Sequence, residues 1–325
     1  MRQTDAMHQQ KKEDSRPWNV WVITLGYNHA EDSLECLKSL SQSERVAFTL
    51  LFTDNQSADD SVARVLAELP HVRVVETGEN VGFARGFNAG MEYACSQGAD
   101  AVFMINNDTV VAPDCLACLL KEALAHPEAG ILVPKIYYYD DPKVIWSAGS
   151  RFRRFPPALV MRKTREEDRG QLDGERELAY ATTCALLVTR PFLEKTGLLD
   201  RDYFIMYDDY DWSIRARENG FSIRFVPEAH MWHKVSKSTG VGTRNPFFWM
   251  HYGKSSAIFF RKHARYRWLT GPVHHLYLLA RMLVEGTAFG VRPFLKGWWE
   301  GKKTELHPPP HPGRGETDAF TVVRG

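Results

Sequence analysis

The sequence predicts an α/β fold: a doubly wound, mainly parallel sheet with helices on both faces, followed by a C-terminal helical segment. Three observations carry this. Between residues 20 and 105, short β-branched apolar runs alternate with stretches of helical spacing. The runs stop at polar clusters, Tyr27-Asn28, Asp54-Asn55 and Asn106-Asn107-Asp108, and in such sheets ligands bind at the carboxyl ends of strands. Residues 247–299 are rich in aromatic and basic side chains and read as helical.

Residues 1–16 are polar and charged, a flexible tail without the apolar region of a secretory signal. Pro17 leads into Val20-Trp21-Val22-Ile23-Thr24-Leu25, a buried-strand run. Leu34, Leu37 and Leu40 then share one helical face. Phe48-Thr49-Leu50-Leu51-Phe52 is a second strand; residues 61–69 read as helix, 72–75 as strand, 82–96 as helix and 101–105 as another buried strand. After residue 135 the alternation fades. Residues 162–176 are charged and without apolar period, an expected exposed loop, and apolar structure resumes over 180–188. The HPPPHPGRG-containing tail, residues 305–325, is expected to be disordered.

Of 325 residues, 44% are hydrophobic and 25% charged, which excludes a disordered chain, a collagen and a small disulfide scaffold. Lys and Arg number 41 against 40 Asp and Glu, so there is no global nucleic-acid footprint. The five cysteines are odd in number with no framework spacing, as expected of reduced thiols in a cytoplasmic protein. Cys115 and Cys118 lack a second Cys/His pair, so they read as core thiols on one helix rather than zinc ligands. The longest apolar stretch, residues 275–291, is broken by Arg281 and Glu285, which argues against a membrane-spanning helix.

Several segments carry candidate chemistry. Asp108, directly after a buried strand, can hold a hard divalent cation or cap a turn. Asp54-Asn55-Gln56-Ser57 can read a nucleobase edge or cap the next helix. The glycines of residues 79–90 sit four apart, unlike a dinucleotide fingerprint or P-loop, and admit close approach of a ligand or another helix. Asp208, Asp209 and Asp211 crowd three carboxylates into an aromatic setting, which raises pKa values and invites a cation or a proton-transfer role.

In order along the chain, LGYN (25–28), DNQSADDS (54–61), ENVGFARGFNAG (79–90), INNDTVVAP (105–113), WSAG (146–149), GLLDRDYFIMYDDYDWSIRARENGF (197–221) and WHKVSKSTG (232–240) resemble the family 2 glycosyltransferases of the GT-A fold, in particular the bacterial rhamnosyltransferase-like branch. The likeness spans residues 20–263. It implies a catalytic domain over residues 17–245, with a nucleotide-binding half at 17–113 and an acceptor half at 114–245, then a helical segment at 246–304. It further implies inverting transfer of a sugar from a nucleotide-diphosphate donor, with dTDP-rhamnose the best candidate, to an acceptor hydroxyl in cell-surface glycan synthesis.

By the same resemblance, Asp209 is the catalytic base and Asp208 replaces the Glu of the family's Glu-Asp pair. Asp108 and His233 are the ligands of a Mg²⁺ or Mn²⁺ ion. The nucleotide side takes in Asp54, which reads the base, with Thr24, Tyr27, Asn28, Asn55, Asn80, Gly82, Phe83, Asn88 and Asn107. Trp146, Thr183, Asp211, Trp212 and Lys237 fall on the acceptor or sugar side. Three places depart from the family pattern: a single carboxylate in Asn106-Asn107-Asp108, Thr182-Thr183-Cys184 where relatives often carry a Gly-Ala step, and Lys254-Ser255 for an Arg-Asn pair.

The expected partners are a nucleotide-diphosphate sugar and a glycan or lipid-linked acceptor, with no nucleic acid. The mixed basic and aromatic C-terminal helices suit either packing on the catalytic domain or peripheral contact at the inner face of the cell membrane. Two other functions compete: a catalytically silent nucleotide- or glycan-binding subunit, and a sugar-phosphate nucleotidyltransferase. The second needs a Gly-rich, Arg-containing loop after the first strand, which Leu25-Gly26-Tyr27-Asn28 does not supply.

Overall fold

The computed structural model describes residues 16–153, 158–161, 165–235, 245–264, 267–315 and 319–324. Strands β1 (Val20–Gly26), β2 (Phe48–Asp54), β3 (Arg73–Glu76) and β4 (Ala101–Asn106) form a parallel centre in the spatial order β4-β1-β2-β3. The order reverses at β1, which creates the crevice where open α/β sheets bind ligands. Along β1 the side chains alternate between two cores. Val20 and Val22 pack in one layer with Leu34, Leu37 and Leu40 of α1 (Ala30–Ser41). Trp21 and Ile23 pack in the other with Ala84, Phe87 and Met91 of α3 (Phe83–Ser96), and α2 (Ser61–Glu68) joins β2 to β3. Helices on both faces explain why these strands read as unbroken apolar runs.

The second half adds β5 (Thr109–Val111), α4 (Cys115–Ala125), β6 (Ala129–Tyr138) and β7 (Val144–Ser147), then a separate hairpin, β8 (Ser150–Arg153) with β9 (Ala158–Met161). After β10 (Glu166–Glu167), β11 (Ala185–Thr189) inserts antiparallel between β4 and β6, so the sheet is mixed beyond its parallel centre. Helix α5 (Arg190–Thr196), helix α6 (Asp208–Glu218) and β12 (Ser222–His233) follow. β12 runs parallel to β6, and its last residues pair with β5, which sets His233 opposite Thr109.

Two expectations are corrected. The described part of the charged segment at 162–176 is not simply an exposed loop. β10 pairs with β7, and Leu172 enters the core. Asp168 and Asp173 reach Lys135 Nζ at 2.8 and 2.7 Å, because a lysine buried to 2% exposure needs compensating charge. The tail at 305–325 is likewise not disordered where it is described. His307 bonds Asp202 through its backbone N–H and Nδ1, both at 2.8 Å, and Leu198 N–H donates to the Pro310 carbonyl at 2.8 Å. β13 (Thr321–Arg324) then adds antiparallel to the edge of β3. A Pro-rich polar composition argues that a segment cannot build its own core, and this one is held by polar partners and a strand edge supplied by the domain.

The C-terminal helices are α7 (Pro246–His263), α8 (Arg267–Val284) and α9 (Val291–Lys303). α9 lies directly on α7 through glycines: a Cβ at Gly253 would overlap the Phe294 carbonyl, one at Gly297 the Met250 carbonyl, and one at Gly301 the Lys254 carbonyl. Phe294 closes a small core with Trp249, Leu278 and Met282. Among the described residues no helix is long and apolar enough to cross a membrane. All five thiols are free, and burial pushes Cys36 up to about 12, which leaves it unreactive. Gly297→Val should force the α7–α9 crossing apart and cost at least about 1–3 kcal/mol of stability. A melting temperature unchanged from wild type would show that the helices do not meet there.

Candidate active site

The parallel register brings the strand ends together: Gly26 pairs with Asp54, Leu25 with Asn106, and Asp54 with Glu76. Tyr27, just past β1, is 49% exposed. Asn28 follows in the left-handed region (φ 58°), which Asn tolerates better than most residues. Its N–H donates to Ser57 Oγ at 2.8 Å, and its side-chain oxygen accepts from Ala58 N–H at 2.8 Å. Asp54 Oδ2 accepts from Ser57 N–H at 2.9 Å, whereas Oδ1 is buried without a partner. Burial raises the Asp54 pKa, and hydrogen bonds from Ser57 only partly offset this. A buried carboxylate oxygen without a partner calls for a donor from outside the chain.

Several residues expected on the nucleotide side hold the crevice together instead. Thr24 is fully buried within β1. Asn55 uses both ends of its amide: Oδ1 accepts from Val81 N–H at 3.0 Å and Thr77 Oγ1 at 3.2 Å, while Nδ2 donates to Asn80 Oδ1 at 3.1 Å. Asn88, 2% exposed, donates to the Leu199 carbonyl at 2.8 Å and accepts from Leu199 N–H at 3.0 Å. Phe83 N–H donates to the Phe204 carbonyl at 2.6 Å, and the positive φ of Gly82 (84°) leaves no room for a Cβ against that carbonyl. The glycines at 86 and 90 pack against Leu25 and against Ile23 and Thr53, so the close approach at these positions is intramolecular. Asn80 remains exposed at the rim, and Asn107 donates to Ser33 Oγ at 2.9 Å.

The β5–β12 pairing builds the second element. His233 Nε2 lies 3.2 Å from Asp108 Oδ1, and both residues are buried. Lys234 N–H donates to the Asp108 carbonyl at 3.0 Å, which fixes the turn. Burial works against a charged His233, but Cys184 and Asp108 outweigh it and raise the imidazole to about 10. Trp146, half-buried, sets its ring edge-on to His233 with centroids 4.5 Å apart, and so orients the imidazole. One carboxylate and one imidazole, which gives up its proton to become a ligand, fit a divalent cation that receives its other ligands from phosphate and water. No group of three or more His, Cys, Asp or Glu among the described residues could hold a metal unaided.

The third element is the start of α6. Met206 and Tyr207 are left-handed (φ 68° and 67°), which turns the chain sharply so that the helix opens on Asp208. The three carboxylates of its first turn have different environments. Asp211 is 1% exposed and pairs with Arg215 and His263 Nε2, each at 2.6 Å. Burial would raise it, but Arg215 and His263 prevail and hold it below the usual range. Asp208 is buried, accepts from Thr183 Oγ1 at 3.0 Å, and is pushed up to about 8, chiefly by desolvation and then by Asp209. Asp209 is only half-buried, raised by desolvation to about 6, and hydrogen-bonded by the Tyr180 hydroxyl. Near neutrality Asp209 is therefore the carboxylate of the two that is ionised and accessible.

Asp211 and Trp212, expected on the acceptor or sugar side, are both buried and bonded within the protein. Trp212 is 1% exposed, packs on Phe192 and donates through Nε1 to the Gly197 carbonyl at 3.0 Å. Lys237 lies outside the described residues. Residues 183 and 184 connect the elements: Thr183 bonds Asp208, Cys184 lies close enough to His233 to raise its pKa, and the Cys184 carbonyl accepts from Asn106 N–H at 2.9 Å. Sequence reasoning missed Tyr180, Arg215 and His263. Their partners lie 29, 4 and 52 residues away, and only the four-residue helical spacing of Arg215 from Asp211 was visible in principle.

Comparison with known proteins shows the family and the fold. The chain is 27% identical over 241 residues to the N-acetylglucosaminyl-diphospho-decaprenol L-rhamnosyltransferase of Mycobacterium tuberculosis, covering 67% of this chain and 77% of that one. It is 20% identical over 224 residues to the dTDP-rhamnosyl transferase RfbF of Shigella flexneri, covering 67% and 69%. Among solved structures, the Pyrobaculum calidifontis mannosyltransferase PcManGT in complex with GDP-Man and Mn²⁺ superposes with a TM-score of 0.55 at 17% identity, over 90% of this chain and 89% of that one. GalNAc-T7 with UDP, GalNAc and Mn²⁺ gives 0.60 at 14% identity, over 79% and 51%. These likenesses establish the GT-A fold. The model for glycosyl transferase family 2 matches residues 21–195, more than half of the chain, and the protein belongs to that family as a rhamnosyltransferase-like glycosyltransferase.

Proposed function

We propose that this enzyme catalyses inverting transfer of rhamnose from dTDP-rhamnose to a hydroxyl of a glycan or lipid-linked acceptor, in cell-surface glycan synthesis. The observation that carries the reading is one ionisable, accessible carboxylate, Asp209, whose neighbour Asp208 is bonded by Thr183, the residue before the Cys184 that lies beside the Asp108–His233 pair. The rhamnosyl donor and the lipid-linked acceptor are inferred from the two rhamnosyltransferase relatives.

An alcohol is a weak nucleophile, so Asp209 accepts its proton as the oxygen attacks the anomeric carbon. The new C–O bond forms as the bond to the diphosphate breaks, and the electron pair leaves with the phosphate oxygen. A single displacement inverts the anomeric centre and needs no second carboxylate as a covalent nucleophile. Asp108 and His233 would hold a Mg²⁺ or Mn²⁺ ion, which neutralises the charge gathering on the diphosphate. The Tyr180 hydroxyl holds Asp209 in place and favours its ionised form. Asp54 Oδ1 would accept the ring N–H of a thymine base, and Tyr27 offers it an exposed aromatic face.

Asp209→Asn should lose about 10²–10⁴-fold in turnover with little change in donor affinity, because an amide cannot take a proton. Asp208→Asn should lose far less at pH 7, since Asp208 is already neutral there. Comparable losses in the two variants would remove Asp209 from its special role. A panel of nucleotide sugars with Mn²⁺, read by nucleoside-diphosphate release, tests the donor. Turnover of another sugar in preference to dTDP-rhamnose would refute the rhamnosyl assignment.

The base works only when ionised, so kcat/KM should fall as the pH drops through about 6. The Tyr180 bond lowers the Asp209 pKa, so Tyr180→Phe should move that acid limb to higher pH. A limb that stays in place would mean that Asp209 does not govern it.

Asp108→Ala and His233→Ala should each weaken binding of dTDP in Mn²⁺ and have much less effect in EDTA. Equal losses by calorimetry with and without the cation would show that these residues act on the nucleotide directly.

A further inference from the structure

Helix α8 is apolar on two sides. Its inward residues His275, Leu278 and Met282 are buried, the last two in the small core with Trp249 and Phe294. Its outward residues Val273, Leu276, Tyr277, Leu283 and Val284 recur at three- and four-residue spacing and are 58–87% exposed. No charged residue interrupts the stretch from 270 to 280. A helix that only capped the catalytic domain would turn polar side chains outward.

Helix α9 carries a complementary stripe. Phe294, Gly297 and Gly301 face α7, and the exposed positions are Arg292, Leu295, Lys296, Trp299, Lys302 and Lys303. These too follow helical spacing, so four cations flank one leucine and one tryptophan on one face. The sole acid of the helix, Glu300, is off this stripe and half-buried. Lys303 Nζ lies 4.8 Å from the Trp299 ring centroid, and Lys302 Nζ lies 5.2 Å from that of Trp298. Exposed Phe289 stands in the short turn between the two helices.

We propose that the outward faces of α8 and α9 dock on an anionic lipid surface, with the apolar stripe of α8 at the acyl boundary and the α9 cations among the headgroups. Apolar and tryptophan side chains beside lysines are what an interfacial helix needs, whereas neither helix is long and apolar enough to span. Charge selects lipid over a second copy of the chain. A two-fold contact through α9 would set its cations against the same cations of the other copy. The surface goes beyond the transfer reaction and does not depend on which sugar is transferred.

The test is flotation of the full-length protein with equimolar phosphatidylcholine–phosphatidylglycerol vesicles and with pure phosphatidylcholine vesicles. Two variants change exposed positions only: Arg292→Glu, Lys296→Glu, Lys302→Glu and Lys303→Glu together, and Leu276→Gln, Leu283→Gln and Val284→Gln together. Wild type should float with the anionic vesicles at low salt and be released at high salt. The charge reversals should weaken binding on the order of 100-fold or more, and the polar variant should weaken it as well. Binding of dTDP with Mn²⁺ should be unchanged in both, which separates failure of this surface from failure of the catalytic reading. Wild type left in the subphase with anionic vesicles at low salt overturns the proposal. So does equal flotation with neutral vesicles, or a dimer that the polar variant dissociates in the absence of vesicle binding.

Discussion

The start of α6 sets the terms for the rest of the structure. Three carboxylates fall within its first turn, and a buried charge without compensation is more than a domain of this size can tolerate. Each is accommodated differently. Asp211 is paired with Arg215 and His263, Asp208 takes a proton and a bond from Thr183, and Asp209 keeps partial contact with solvent. The first pairing recruits the C-terminal half of the chain. His263 is the last residue of α7, and the preceding Lys262 reaches Asp200 at 2.5 Å and Asp202 at 2.7 Å. Asp202 also holds His307, so helix α6, the helical segment and the tail are joined by two neighbouring sets of ion pairs. Removing a single partner from a buried pair costs about 3–5 kcal/mol, because it leaves the other charge buried and uncompensated, so these pairs tie the position of the helical segment to that of α6.

The two chemical centres come together through a short piece of chain. Residues 182–184 enter β11, which lies antiparallel to β4, and β4 leads directly into Asn106-Asn107-Asp108. Antiparallel pairing makes the beginning of one strand adjacent to the end of the other. Thr183 therefore reaches the acid pair, while Cys184 reaches His233. This departure from the Gly-Ala step is thus built into the site: a hydroxyl steadies the Asp208 carboxyl and a thiol stands beside the imidazole.

Much of the architecture was legible because it follows from local physics. The β-branched runs at 20–25, 48–52 and 101–105 lie in strands, and the leucines at 34, 37 and 40 line a helix face. The juxtaposition of Asp108 with His233 was legible only through family resemblance, since 125 residues separate them and β12 runs 12 residues, of which the last, His233, meets β5. The tail and the segment around Asp168 were misread for one shared reason. Composition reports whether a segment can bury its own apolar surface, and neither does; their order comes from Asp202, Glu92 and Lys135 elsewhere in the chain.

The motifs also contain side chains whose partners lie within the protein: Asn55, Asn88, Asp211 and Trp212. Each lies inside a segment that resembles the family, and each is committed to another part of the protein: Asn55 to the loop at 77–82, Asn88 to Leu199, Asp211 to Arg215 and His263, and Trp212 to Gly197. A motif is therefore a mixture of side chains that meet a ligand and side chains that hold the first kind in position. Exposure and partner count separate them. Tyr27 and Asp209 retain access to solvent, and Asp54 retains a buried oxygen without a partner. The committed residues have neither access nor spare capacity, so their substitution should act through the shape of the crevice, changing stability together with binding, rather than through any contact with the donor.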